Sequence, residues 1–134
     1  MIQEKSCGAV LFREEDVRTY LVLHSTQGHY TLCKGHVENG ETEHETAVRE
    51  IGEETGLSVT FREGFRESIV YAPRPGCRKE VVFFLAEAAG GAICCQPEEV
   101  ADADFLPYPQ AISRLTHDSD REVLAKAERF LCSH

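Results

Sequence analysis

The chain has 134 residues, 42% of them hydrophobic and 28% charged, and 14 Lys and Arg stand against 23 Asp and Glu for a net charge of −9. That length fits one domain, 1–134, with a core large enough to need no disulfide or metal staple. The longest apolar run, residues 81–86, is far short of the roughly 20 residues a membrane span needs. Residues 1–7 lack the apolar core of a signal peptide, and so acidic a surface repels long nucleic acid, which leaves the cytoplasm as the expected compartment.

Taken in chain order, residues 7–12 and 20–24 are rich in Val, Leu and aromatics and read as strands. The polar Glu14-Glu15-Asp16 between them makes the pair a hairpin. Asn39-Gly40 marks a turn, and a helix follows over 42–55. Thr42 with Glu45 forms a capping box, and Gly56 ends the helix in the left-handed conformation with Leu57 packing back. Residues 57–61, 65–71 and 79–87 read as three more strands. The stretch 81–85 is apolar at every position, as a strand covered on both faces requires. Residues 102–106 form a last short strand closed by Pro107, then a short helix spans 109–115. A final helix over 119–131 carries Val123, Leu124, Ala127, Phe130 and Leu131 on one stripe. Without a regular βαβ rhythm, this order predicts an α/β sandwich around a mixed sheet. The six cysteines (Cys7, Cys33, Cys77, Cys94, Cys95 and Cys132) form no C-x-x-C pair and read as reduced thiols in a reducing compartment.

The chemistry gathers on the first helix. At about 100° per residue, Glu50, Glu53 and Glu54 share an arc of about 100°. His44, Val48, Ile51 and Thr55 form a separate stripe suited to the core. The mid-helix Gly52 costs up to about 1 kcal/mol against alanine, an expense that close approach of another backbone would explain. Three carboxylates at this spacing repel one another. Either they form a solvated acidic face or they serve a hard divalent cation, which wants oxygen ligands.

The surrounding residues decide between the two. From Gly35 the chain runs five residues to Glu41, seven more, then Arg49-Glu50-Ile51-Gly52-Glu53-Glu54-Thr55-Gly56-Leu57. This matches the Nudix box, G-x5-E-x7-R-E-U-x-E-E-x-G-U with U a bulky aliphatic residue, at every specified position over residues 35–57. The chain therefore resembles a Nudix hydrolase. The resemblance implies the Nudix fold, an α/β/α sandwich around a mixed sheet. It also implies Mg²⁺-dependent hydrolysis of a phosphoanhydride in a nucleotide, with Mn²⁺ as a substitute ion. Carried over by position, Glu50 and Glu54 resemble metal ligands and Glu53 resembles a ligand or the general base. Arg49 resembles the residue that orients a glutamate, and Gly35 the loop glycine that helps place the metal. Glu99 fits the place of a further carboxylate, ligand or base, better than Glu98.

The box gives the reaction class and leaves the substrate to the rest of the chain. Ser6 to Arg13, Lys34-Gly35-His36-Val37-Glu38, Glu63-Gly64-Phe65, Tyr71 and Phe130 to Ser133 together resemble the asymmetrical diadenosine tetraphosphate hydrolases. That resemblance implies a small-molecule nucleotide substrate cut to ATP and AMP. Tyr71 and Phe130 would hold a base between two rings, although Phe130 also suits the core. Tyr71 closes its strand before a loop mouth at residues 72–76. Lys34, Lys79, Arg74 and Arg78 would meet phosphates, and His29 is a further candidate there. Cys33 stands where many relatives have proline, which predicts a loosened loop around Lys34. The alternatives are hydrolysis of oxidised nucleoside triphosphates or of RNA 5′ ends, and a catalytically silent nucleotide-binding domain. The intact set of box glutamates argues against the last.

Overall fold

Alternation along two adjacent strands sets the architecture. In the first strand, Val10 and Phe12 belong to one apolar cluster and Cys7, Ala9 and Leu11 to another. In its parallel neighbour, Val81, Phe83 and Leu85 join the first cluster, and Val82, Phe84 and Ala86 the second. Successive side chains of a strand point to opposite faces, so both strands are buried on both sides. Such a sheet needs a helical layer on each face, and burying each large apolar side chain contributes roughly 1.5–3 kcal/mol.

The computed structural model describes residues 3–94 and 100–133. Its elements are β1 (Glu4–Glu14), β2 (Arg18–Ser25), β3 (Tyr30–Thr31), β4 (Cys33–His36), α1 (Glu43–Thr55), β5 (Val59–Phe61), β6 (Glu67–Arg74), β7 (Cys77–Ala88), β8 (Val100–Pro107), α2 (Tyr108–Arg114) and α3 (Asp118–Ser133). Among the described residues the strands form one mixed sheet, ordered β3-β2-β1-β7-β5, with β4 beside β1, β6 beside β7 and β8 beside β2. The β1–β7 pair is parallel and the others antiparallel. Helix α1 covers one face through Ala47 and Ile51. Helices α2 and α3 cover the other through Ala111, Val123, Leu124, Ala127 and Leu131, with Leu115 just after α2. The expected sandwich around a mixed sheet is present, and so is the β1–β2 hairpin.

Several boundaries differ from the sequence expectation. Strand β5 begins at Val59, because Gly56 and Leu57 are spent closing α1: the Gly56 N–H donates to the Gly52 carbonyl at 3.0 Å. Strand β6 runs through the expected loop mouth to Arg74, which pairs with Cys77 in a tight hairpin. Strands β3 and β4 were not anticipated; two and four residues are too short for a period to show. Cys33 does not loosen its segment, since it lies in β4 opposite Ala9 and is buried.

One junction positions the site. Strand β4 pairs with Ser6 to Ala9 of β1, and β2 pairs farther along with Phe12 to Glu14. The same edge of β1 thus changes partner, and β4 stands where it does.

Candidate active site

Helix α1 brings the box glutamates against β4. Its start is fixed by a complete capping box: the Glu45 N–H donates to Thr42 Oγ1 at 3.1 Å and the Thr42 N–H to Glu45 Oε1 at 2.8 Å. Its end is fixed by Gly56 at φ 69°. The buried positions are Thr46, Ala47, Glu50, Ile51, Glu54 and Thr55. On the wheel these form one continuous arc, so the acid face and the core stripe are not separate. Glu50 and Glu54, 7% and 8% exposed, lie inside the buried arc. Val48 falls outside it and is 54% exposed, against expectation. Gly52 also departs from expectation: among the described residues a Cβ there would meet open space, so no neighbouring backbone among them explains it.

Gly35 faces α1 across the site. A Cβ on Gly35 would stand 2.0 Å from the carboxyl carbon of Glu50, so only glycine admits that carboxylate. Arg49 gathers the acids. Its Nε donates to Glu41 Oε2 at 2.7 Å, its Nη1 to Glu50 Oε2 at 2.7 Å and Glu53 Oε1 at 2.9 Å, and its Nη2 to the His36 carbonyl at 2.8 Å. A rigid fork of donors suits this gathering as a lysine would not. The Arg49 hydrogen bond, helped by the Glu38 N–H, lowers the Glu41 carboxyl to about 2. Cys33 Sγ donates to Glu54 Oε1 at 3.0 Å. Burial, and then the Glu54 charge, push that thiol well above its ordinary range, so it stays protonated as a donor.

A groove of about 590 Å³ opens beside these acids, lined by Ser6, Gln27, Lys34, Gly35, His36, Glu38, Arg49, Glu50, Glu54 and Lys79. The β1–β4 and β1–β7 registers place Lys34 and Lys79 on the α3 face, opposite to Cys33 and Gly35. Lys79 Nζ lies 3.4 Å from His36 Nε2. Burial first and the Lys34 charge second lower the Lys79 pKa, which marks two neighbouring cations facing one space. Lys34 also lines a second cavity of about 370 Å³, with Ile69, Tyr71, Val81, His117, Asp118, Ser119 and Asp120. Lys34 is therefore the boundary between an acid-and-cation groove and a cavity with an aromatic wall.

The other expected residues separate into groups. His29 is exposed, and its ring stacks on His117 with centroids 5.4 Å apart, at the rim of the Tyr71 cavity. Phe130 is not brought to Tyr71. It packs on Phe65 with centroids 5.6 Å apart and covers Gly64. It stands eleven residues along α3 from Ser119, about 16 Å at helical rise, so the two rings cannot enclose one base. Its place on the apolar stripe of α3 won over stacking. Arg74 is spent on Glu4 at 2.7 Å. Glu98 and Glu99 lie outside the described residues. Sequence reasoning missed His117 and Asp120. A histidine and acids at a helix start look like ordinary capping, and only the fold sets them beside Tyr71 and Lys34.

Among the described residues, no three His, Cys, Asp or Glu side chains stand grouped to hold a metal by themselves. The donor set nonetheless fits Mg²⁺, which takes one or two carboxylates and completes its shell with water and substrate phosphates. Two buried carboxylates facing a groove, Glu50 and Glu54, meet that need.

The NUDIX domain model matches residues 3–127. The chain belongs to the NUDIX family. Among its NUDIX relatives, the mouse bis(5′-nucleosyl)-tetraphosphatase [asymmetrical] is 31% identical over 142 residues, covering 96% of each chain. The pig protein of the same name is 31% identical over 144 residues, with the same coverage. The crystal structure of a C. elegans Ap4A hydrolase binary complex superposes with a TM-score of 0.90 at 26% identity, covering 98% of this chain and all of that one. NUDIX domains generally use divalent metal ions such as Mg²⁺ and act on small nucleotides. No described helix is long and apolar enough to cross a membrane.

Proposed function

We propose that this NUDIX chain is a Mg²⁺-dependent hydrolase of dinucleoside polyphosphates, cutting diadenosine tetraphosphate to ATP and AMP, with residues 1–134 working as one domain in the cytoplasm. The observation that carries the reading is the double membership of Lys34. It lines both the groove that holds Glu50 and Glu54 and the cavity walled by Tyr71. A nucleotide laid across Lys34 has its phosphates among the cations and its base against the tyrosine ring. Full-length similarity to asymmetrical tetraphosphatases supports the same choice. A putative mutator protein and an NAD-capped RNA hydrolase are also similar, but the chain spans only 42% and 38% of their lengths. The free thiols among the described residues suit a reducing compartment.

Each residue has a part in this reading. Glu50 and Glu54 would hold Mg²⁺ near Gly35, with Glu99 a further candidate. The bound ion, with Mn²⁺ as a substitute, supplies charge neutralisation on the phosphoanhydride and acidifies water. Arg49 orients Glu41, Glu50 and Glu53 through one guanidinium. Glu53, the more exposed of the box pair it forms with Glu54, serves as ligand or takes the proton of the attacking water. Lys34 and Lys79 bind phosphate oxygens as compact charges. His29, stacked on His117, remains a further candidate for the phosphates.

Chromatography of the products from diadenosine tetraphosphate with Mg²⁺ tests the proposal, with Glu54→Gln alongside. ATP and AMP from the wild type, lost on substitution while the far-ultraviolet circular dichroism is unchanged, is the expected result. Turnover of nucleoside triphosphates or capped RNA in place of the dinucleotide would overturn the substrate and keep the chemistry.

A further inference from the structure

Helix α1 and strand β4 meet at matched steps. Glu50 and Glu54 are four residues apart on the helix, about 6 Å at helical rise. Cys33 and Gly35 are two apart on one face of the strand, about 6.6 Å. The two strand residues meet the two carboxylates in different ways. Gly35 makes room for Glu50, while Cys33 Sγ donates to Glu54 Oε1 at 3.0 Å in a buried contact. The Cys33 backbone is held in place: it pairs with Ala9, and its carbonyl oxygen would stand 1.8 Å from a Cβ on Gly8. Cys33 is 1% exposed and Glu54 8%, so protein groups and not bulk water direct this carboxylate. Glu54 nonetheless lines the groove beside Lys34 and Lys79.

We propose that Cys33 is a positioning residue, its thiol holding the Glu54 carboxylate in the orientation from which it takes a divalent ion in the groove. This role rests on Glu54 being a metal ligand, as the proposed function has it. A ligating carboxylate that is itself hydrogen-bonded keeps its aim without the ion, so less ordering is left for the ion to impose. Cys33 also packs among Cys7, Ala9, Ala47 and Ile51. A role as filler would follow side-chain volume, whereas a role as donor follows the hydrogen bond, and substitutions can separate the two.

The experiment titrates the nucleotide-free protein with Mn²⁺ and follows the unbound ion by electron paramagnetic resonance, with circular dichroism confirming the fold of each variant. Cys33→Ala and Cys33→Val, one smaller and one bulkier but neither a donor, should each weaken Mn²⁺ binding about tenfold or more, and Cys33→Ser, which keeps a donor, should stay within about threefold of the wild type. Wild-type affinity in the Ala or Val variant, or a Ser variant as weak as Ala, would overturn the proposal. Glu54→Gln is the reference. If it weakens Mn²⁺ binding and Cys33→Ala does not, this inference alone fails. If it binds Mn²⁺ as the wild type does, or the wild type takes up no Mn²⁺, the metal assignment of Glu54 fails and the role of Cys33 falls with it.

Discussion

Two glycines of the site are constrained by neighbours of different stiffness. A Cβ on Gly8 would fall 1.8 Å from the Cys33 carbonyl oxygen, which is backbone of the paired strand and cannot yield alone. A Cβ on Gly35 would meet only the far end of the Glu50 side chain. Gly8→Ala should therefore destabilise the fold by roughly 1–3 kcal/mol or more, as overpacking does. Gly35→Ala should leave Tm nearly unchanged, because the glutamate can swing away, while kcat/KM falls at least tenfold, equivalent to about 1.4 kcal/mol of lost transition-state stabilisation. Thermal unfolding and steady-state kinetics on both variants check the contrast. A Gly35→Ala enzyme with full activity would show that the Glu50 position is immaterial. Gly35 was legible from its motif; Gly8 was not, because nothing local in Ser6 to Arg13 shows that a second strand crosses so closely.

Helix α1 shows how far an element can be read and where reading stops. Thr42, Glu45 and Gly56 act through neighbours in sequence, so the capping box and left-handed end were legible and are present. Val48 and Gly52 depend on where the sheet's edge falls against the helix, and no periodicity records that. The arc buried on the sheet is shifted toward Glu50 and Glu54 because Gly35 leaves room for a carboxylate at the β4 edge. The same distinction governs the strands: the double-sided β7 announced itself through its unbroken apolar run, whereas β3 and β4 are too short to do so. Since the box glutamates ride on α1, its first turn bears on the site as well as on stability. Thr42→Ala removes the acceptor for the Glu45 N–H, and should cost about 1 kcal/mol, a fall in Tm of about 3–5 °C for a domain of this size. Calorimetry of the variant checks it, and an unchanged Tm would mean that tertiary packing alone sets the helix start.

At the scale of the whole molecule, the acids of α1 were legible together, and the cavity beside Lys34 only in part: Tyr71 and Lys34 were picked out by resemblance, His117 and Asp120 were not. Glu50, Glu53, Glu54 and Arg49 share a helix, so spacing reveals them. Tyr71, Lys34, His117 and Asp120 come from β6, β4, the α2–α3 connection and α3, and only the closed sheet assembles them. The assembly is held by carboxylates whose charge matters to stability. Arg66, and next Lys5, lower the Glu43 carboxyl to about 2, as Arg49 does for Glu41. In the unfolded chain both return toward the ordinary 4.5. A depressed folded pKa contributes stability above the unfolded value, and that contribution is lost as pH falls from about 5 toward 2. Asp120 acts with the opposite sign: burial raises its pKa, so its cost at neutral pH is relieved as it takes a proton. One buried group opposes several ion-paired ones, and the paired ones should win. The net charge of −9 adds repulsion at neutral pH that fades near the isoelectric point of about 5.1. Tm should therefore hold or rise slightly from pH 7 to about 5 and then fall steeply. Glu43→Gln, which removes one lowered carboxyl and its contacts with Lys5 and Arg66, should lower Tm at pH 7 and make the acid fall shallower. Thermal unfolding of both proteins from pH 7 to 3 decides it: equal slopes would mean that Glu43 does not carry acid sensitivity, and a wild-type Tm as high at pH 3 as at pH 7 would refute the carboxylate account.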